Sequence, residues 1–341
     1  MSGALLDGYD TLLLDLDGVV YAGSGAIEHA VTALTSSRGY GARLAFVTNN
    51  ASRTPESIAG HIADLGLPVS PDEVVTSAQA GARMLAEQVL TGSRVLVVGG
   101  EGLRREVADR GFALVDSASA DPAAVIQGFS PEVGWRQLAQ ATFAVRAGAA
   151  FFATNTDRTI PTADGIGPGN GLLVGVVTQA TGVAPQVAGK PEVPLMAESL
   201  ERTGARRALV VGDRLDTDIE GANNVGLPSL LVLTGVSTLL DLAQAPPSQR
   251  PTFLGADLRA LHAAPIPLSP STADGAARQA PSGDAPGWWL WCADAAAMIS
   301  AIWHRLDATW SAREAERAAA GILLGSESAA LEVLLAERPR P

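Results

Sequence analysis

An apolar run in this chain ends on two aspartates one residue apart, followed by a glycine: Thr11-Leu12-Leu13-Leu14-Asp15-Leu16-Asp17-Gly18. In an extended chain alternate residues face the same way, so the two carboxylates share one side and Leu16 takes the other. Gly18 lets the backbone turn sharply and approach a ligand. Carboxylates at a buried strand end are costly unless paired or metal-bound, and Mg²⁺ prefers such oxygens. Taken alone, the pair could equally be an acidic turn. Three distant groups argue otherwise: Thr48 after a strand-like run, Lys190 between Gly189 and Pro191, and Asp213 after another strand-like run, with Asp216 and Asp218 close behind. Together they suit phosphoryl transfer. Asp15 would attack phosphorus as a carboxylate nucleophile. Asp17 would protonate the leaving alcohol and then activate water. Thr48 and the amides after it would hold phosphoryl oxygens, with Lys190 neutralising their charge. Mg²⁺ on Asp15 and Asp213 would offset the repulsion between two anions, and Asp218 would orient Asp213 or Lys190.

These residues need a scaffold that gathers strand ends. Residues 11–14 and 42–47 read as strands with a helix over 27–38 between them, the size of one βαβ unit, and so predict a parallel sheet. In such a sheet the C-terminal strand ends collect along one edge, where ligands bind. Thr54-Pro55-Glu56 opens a helix, with Thr54 as cap, Pro55 in the first turn, and Ile58, Ile62 and Leu65 at helical spacing. Residues 94–98, 125–126 and 151–153 read as further strands inside the long interval between Thr48 and Lys190. That is enough structure for an inserted α/β domain. After residue 189 the first pattern resumes, with a helix over 195–202 and strands over 208–211, 229–233 and 252–254. The expected organisation is a core of residues 1–77 and 185–262, an inserted cap over 78–184, a Pro/Ala/Ser/Gly-rich linker over 263–287, and an extension over 288–341. The fold class is α/β, a Rossmann-like parallel-sheet core with an inserted domain.

The chain has 341 residues, 47% of them hydrophobic, enough for two or three domains. A net charge of −12 argues against nucleic acid or an anionic membrane as the main partner. The single cysteine, Cys292, rules out an internal disulfide and fits a reducing compartment. The N-terminus lacks signal-peptide character, and no apolar segment approaches membrane-spanning length. The expectation is a cytoplasmic protein acting on a small molecule; oligomeric state is not legible.

The motifs Asp15-Leu16-Asp17-Gly18-Val19, Thr48-Asn49-Asn50, Lys190-Pro191 and Gly212-Asp213-Arg214-Leu215-Asp216-Thr217-Asp218 resemble the four motifs of the haloacid dehalogenase-like phosphatases. The resemblance covers residues 5–262. It implies Asp15 as nucleophile, Asp17 as acid/base, and Mg²⁺ held by Asp15, the Asp17 carbonyl and Asp213. The gap between Thr48 and Lys190 is similar to the branch with a large α/β cap, and the Thr-Asn-Asn form to its 4-nitrophenylphosphatase, phosphoglycolate phosphatase, pyridoxal phosphatase and ribonucleotide monophosphatase subgroup. Substrate contacts are accordingly expected at Thr48, Asn49, Asn50 and Lys190, and in the cap at Asn155 and Asp157 of Ala153-Thr154-Asn155-Thr156-Asp157. Ser130 stands where that subgroup commonly has an acidic residue. The C-terminal extension and the Ala, Gly and Arg usage resemble actinobacterial members, which implies glycerol 3-phosphate as substrate. Phosphoglycolate, a nucleotide or pyridoxal phosphate are the alternatives within the family. A non-hydrolysing protein that binds a phosphometabolite is the alternative outside it, and the acid/base residue Asp17 disfavours it.

Other patterns carry less. Gly100-Glu101-Gly102 lacks the third glycine of a dinucleotide fingerprint, since Arg105 stands there, and Ala184 occupies the first-glycine position of a phosphate loop around Lys190. The four histidines show no zinc spacing.

Overall fold

The computed structural model describes residues 3–162, 164–238, 241–242, 245–264, 277–278 and 291–292. Most of the expected linker and extension lies outside these residues. The chain divides into two compact units, Met1–Leu44 with Thr203–Pro341, and Ala45–Arg202.

In the first unit four parallel strands lie in the order Phe253–Gly255, Ser229–Val232, Ala208–Gly212 and Thr11–Leu14. Every residue of Thr11–Leu14 and Ala208–Gly212 is buried, with no alternation. That is the mark of strands covered on both faces, and it explains why the sequence shows continuous apolar runs there. The register sets Leu14 opposite Val211. Parallel direction therefore brings the residues after Leu14 and after Val211 to the same edge. The first strand ends one residue before Asp15. Leu16 beyond it is still fully buried, while Asp15 is half-buried and Asp17 exposed, so the expected alternation survives past the regular strand. After Asp213 the chain forms a π-helical turn, Leu215–Ile219, before the helix Glu220–Asn224.

In the second unit Val74–Thr76 pairs parallel with the end of Arg43–Thr48, and Thr48 lies opposite Thr76. Thr54 caps the helix Pro55–Asp64 as expected, accepting from the Ser57 amide. A parallel five-stranded sheet runs in the order Gln186–Val187, Ala150–Ala153, Ala124–Gln127, Arg94–Val98, Ala113–Val115. The helices Trp135–Arg146 and Asn170–Thr181 cover it through Leu138, Val145, Val174 and Val177, which pack on Val125 and Phe151. An antiparallel hairpin, Thr159–Thr162 with Gly165–Pro168, was not anticipated. Among the described residues no helix is long and apolar enough to cross a membrane.

Candidate active site

The first unit gathers acidic groups at the C-terminal edge of its sheet. The Asp15 amide donates to the Val211 carbonyl at 2.9 Å, extending the ladder by one bond and placing Asp15 beside the loop that carries Asp213. Asp15, Asp213 and Asp218 each offer a carboxylate oxygen, and these lie within 4.8 Å of one another. Asp213 and Asp218 are buried. The Asp213 carboxylate accepts the Val236 amide at 2.6 Å, and the Asp218 carboxylate accepts the Arg214 amide at 3.1 Å. Three converging carboxylates, two of them buried, repel one another unless a cation lies among them.

Glycines make the convergence possible. A Cβ on Gly212 would stand 2.6 Å from Asp218 Oδ2, and one on Gly18 would stand 2.5 Å from Asp213 Oδ2. Gly235 would press a Cβ to 2.7 Å from the Asp213 Cβ. Any side chain at these positions would fill the space the carboxylates occupy. This cradle, with its all-oxygen donor set, fits Mg²⁺. Asp218, expected to act through Asp213 or Lys190, sits in the carboxylate cluster itself. Asp17 is exposed and pairs by a single bridge with Tyr21.

Sequence reasoning missed the segment that closes this group. Thr234 Oγ1 donates to the Gly18 carbonyl at 2.6 Å, Ser237 Oγ accepts the Leu215 amide at 3.0 Å, and the Ser237 amide donates to the Asp213 carbonyl at 3.0 Å. The segment thus ties together the loops carrying Asp17 and Asp213. The available signal was positional: 234–237 follows the strand Ser229–Val232 and so emerges at the same edge as Asp15 and Asp213.

The second unit assembles the remaining residues around Asn49. Asn49 Oδ1 accepts the Lys190 amide at 2.8 Å, and its Nδ2 donates to the Lys190 carbonyl at 3.0 Å and to Asp157 Oδ1 at 3.0 Å. The Asn49 carbonyl receives Ser77 Oγ at 2.6 Å and Asn155 Nδ2 at 2.7 Å. Thr48, Asn49, Asn155, Asp157 and Lys190 are therefore brought together. The Asn49 amide is engaged with protein groups, however, which makes it an organiser of the site. Asn50 turns its side chain back onto the Ser52 and Arg53 amides and shapes its own loop. Lys190 is 2% exposed, and its Nζ donates to the Val47 carbonyl at 3.0 Å. Burying an ammonium is costly unless hydrogen bonds or opposite charge compensate the lost hydration, and the Val47 carbonyl supplies part of that compensation. Ser77 and Asn170 escaped notice in the sequence, because a lone serine or asparagine at a helix start reads as a cap.

Residues 12–113 match the haloacid dehalogenase-like hydrolase family and residues 187–261 match the HAD-hydrolase-like family. The chain is 51% identical over 254 residues to the D-glycerol 3-phosphate phosphatase of Mycobacterium tuberculosis, covering 74% of this chain and 71% of that protein. The chain belongs to the haloacid dehalogenase-like hydrolases. It is 39% identical over 236 residues to the acid sugar phosphatase of Staphylococcus aureus, covering 69% of this chain and 90% of that protein. A crystal structure of a glycerol phosphate phosphatase from M. tuberculosis in complex with magnesium superposes with a TM-score of 0.76 at 43% identity, covering 97% of this chain and 98% of that one. The relatives it matches within this family are phosphatases, and the chain is a phosphoric monoester hydrolase, as its four motifs predicted.

Proposed function

We propose that this enzyme hydrolyses glycerol 3-phosphate to glycerol and inorganic phosphate in a Mg²⁺-dependent reaction, in the cytoplasm. The observation that carries the reading is the cluster of Asp15, Asp213 and Asp218 at one sheet edge, within a chain 51% identical to a glycerol 3-phosphate phosphatase. Asp15, Asp213 and the Asp17 carbonyl would hold Mg²⁺, with Asp218 beside them. When bound, Mg²⁺ supplies charge neutralisation between carboxylate and phosphate.

An Asp15 carboxylate oxygen bonds to phosphorus as the ester P–O bond breaks, and the departing alkoxide takes the proton of Asp17. Asp17, now a carboxylate, draws a proton from water. The hydroxyl oxygen bonds to phosphorus, the Asp15–phosphorus bond breaks, and phosphate leaves with Asp15 regenerated. The exposure of Asp17 suits a group that must meet both leaving group and water. The Thr48 hydroxyl, the Asn49 backbone amide and Lys190 donate to the phosphoryl oxygens, while the Asn50 amide, bonded to Thr48 Oγ1 at 3.1 Å, orients that hydroxyl. Residues 78–184 form the cap that selects the alcohol, through the loop carrying Asn155 and Asp157.

The test is phosphate release from glycerol 3-phosphate, phosphoglycolate, pyridoxal phosphate and nucleoside monophosphates, with and without Mg²⁺, for the wild type and Asp15→Asn. Metal-dependent release with glycerol 3-phosphate preferred, abolished in Asp15→Asn, is expected. Preference for another ester would overturn the substrate. Full activity in Asp15→Asn would overturn the mechanism, and binding without release would point to a phosphometabolite-binding protein.

A further inference from the structure

Asn170 is the first residue of the helix Asn170–Thr181 and is 1% exposed. A buried primary amide is costly unless its hydrogen bonds fix it in place. Its Nδ2 donates to the Asn155 carbonyl at 2.8 Å and lies 3.4 Å from the Gln127 carbonyl, so one side chain fastens the loop after Ala150–Ala153 to the end of Ala124–Gln127. Asn155, 4% exposed, passes the constraint on, since its Nδ2 donates to the Asn49 carbonyl at 2.7 Å. Asn49 in turn holds Lys190 from both sides, accepting its amide and donating to its carbonyl. Three asparagine side chains thus run in series from a helix of the inserted segment to the buried lysine.

The backbone is built to allow this close assembly. A Cβ on Gly189 would stand 2.6 Å from both Asn49 Oδ1 and the Thr154 carbonyl oxygen, and one on Gly171 would stand 2.6 Å from the Thr156 carbonyl carbon. The Gly169 amide donates to the Arg158 carbonyl at 2.9 Å and the Gly171 amide to the Asp157 carbonyl at 2.8 Å. The loop 154–157 is therefore clamped between the start of the Asn170 helix and the Asn49–Lys190 pair. Small residues stand on both sides where a larger one would pry it away. The donors of this buried amide network are engaged while Asn170 Oδ1 finds no partner among the described residues, so Asn170 acts through its Nδ2, and a departure from this geometry would leave further polar groups unpaired in a low-dielectric interior.

We propose that Asn170 is a positioning residue for Lys190, acting through Asn155 and Asn49. The inference rests on the reading that Lys190 neutralises the transferring phosphoryl group, and it adds a route by which the cap loop fixes where that charge stands. A lysine that stabilises charge developing in the transition state affects turnover more than ground-state binding when it is displaced.

The experiment uses the full chain as wild type, Asn170→Leu, which is near-isosteric and lacks the donor, and Asn170→Ala in case the larger side chain impairs folding. Amide hydrogen exchange reports the relay without any assay of activity. The Lys190 amide, bonded to Asn49 Oδ1, is expected to exchange about five- to tenfold faster in either variant, while amides of the strand Arg94–Val98 keep their wild-type protection. Release of phosphate from glycerol 3-phosphate is expected to show kcat lowered about tenfold with KM within about twofold of wild type. Unchanged Lys190 exchange would overturn the relay. Faster exchange at Lys190 with unaltered kcat in an active enzyme would overturn the positioning role, and a uniform loss of protection across the second unit would reduce Asn170 to a packing residue. A wild type that releases no phosphate from any ester would remove the functional reading, and with it the catalytic meaning of the relay, while the exchange data would still decide the structural connection.

Discussion

Replacing Gly235 by alanine would place a methyl group in the space the Asp213 carboxylate occupies. The added Cβ would lie 2.7 Å from the Asp213 Cβ and nearer still to Oδ2, whereas real Cβ atoms keep at least 3.0 Å from their neighbours. The carboxylate oxygen has to retreat by about 1 Å, and the Val236 amide that holds it at 2.6 Å resists the movement. Misplacing a reacting or ligand group by about 1 Å costs about 100-fold in rate, and overpacking a well-filled site costs about 1–3 kcal/mol in stability. The expected result for Gly235→Ala is kcat/KM down about 100-fold and a half-saturating Mg²⁺ concentration up about tenfold or more, with the protein still folded. Phosphate release measured across a Mg²⁺ titration, alongside a thermal melt, reads all three. Wild-type turnover and Mg²⁺ dependence in Gly235→Ala would refute the view that the glycine keeps room for Asp213. A large loss of turnover with an unaltered Mg²⁺ midpoint would refute the assignment of Asp213 as a ligand.

Two further predictions test the surroundings. Gly60 lies exposed inside the helix Pro55–Asp64 with nothing within 4 Å of an added Cβ, so Gly60→Ala should stabilise the protein by about 0.8–1 kcal/mol without altering phosphate release. A lower melting temperature in that variant would contradict the reading. Burial pushes the Tyr9 hydroxyl up to about 12, while in the unfolded chain it ionises near 10. Between those values the unfolded state sheds a proton that the folded state keeps, so stability falls as pH rises through that window. Denaturant unfolding should show a steeper alkaline loss in wild type than in Tyr9→Phe, and equal slopes would count against it.

Much of the active-site chemistry was legible because it depends on residue type at strand ends. Thr11–Leu14 and Ala208–Gly212 are apolar throughout, and a continuous apolar run that stops on an aspartate announces both a buried parallel strand and the point where it leaves the core. The βαβ spacing then implied that Asp15 and Asp213 share an edge, and the register of Leu14 with Val211 places them there. The separate α/β character of the inserted segment was equally readable, from strands whose apolar residues recur between Thr48 and Lys190. Side-chain partners were a different matter. Asn49 and Asn50 are adjacent and chemically identical, yet one organises Lys190 and Asp157 while the other closes its own turn. Nothing in their order distinguishes them, because an amide can donate or accept in any direction and its partner is set by which loops arrive beside it. The roles of Asn170, Ser77 and the segment 234–237 likewise come from contacts spanning tens to hundreds of residues. Sequence alone determined which groups can do the chemistry and on which strands they end. Tertiary structure decided which of them hold the others in place, since hydrogen-bond geometry exists only once distant loops are packed together.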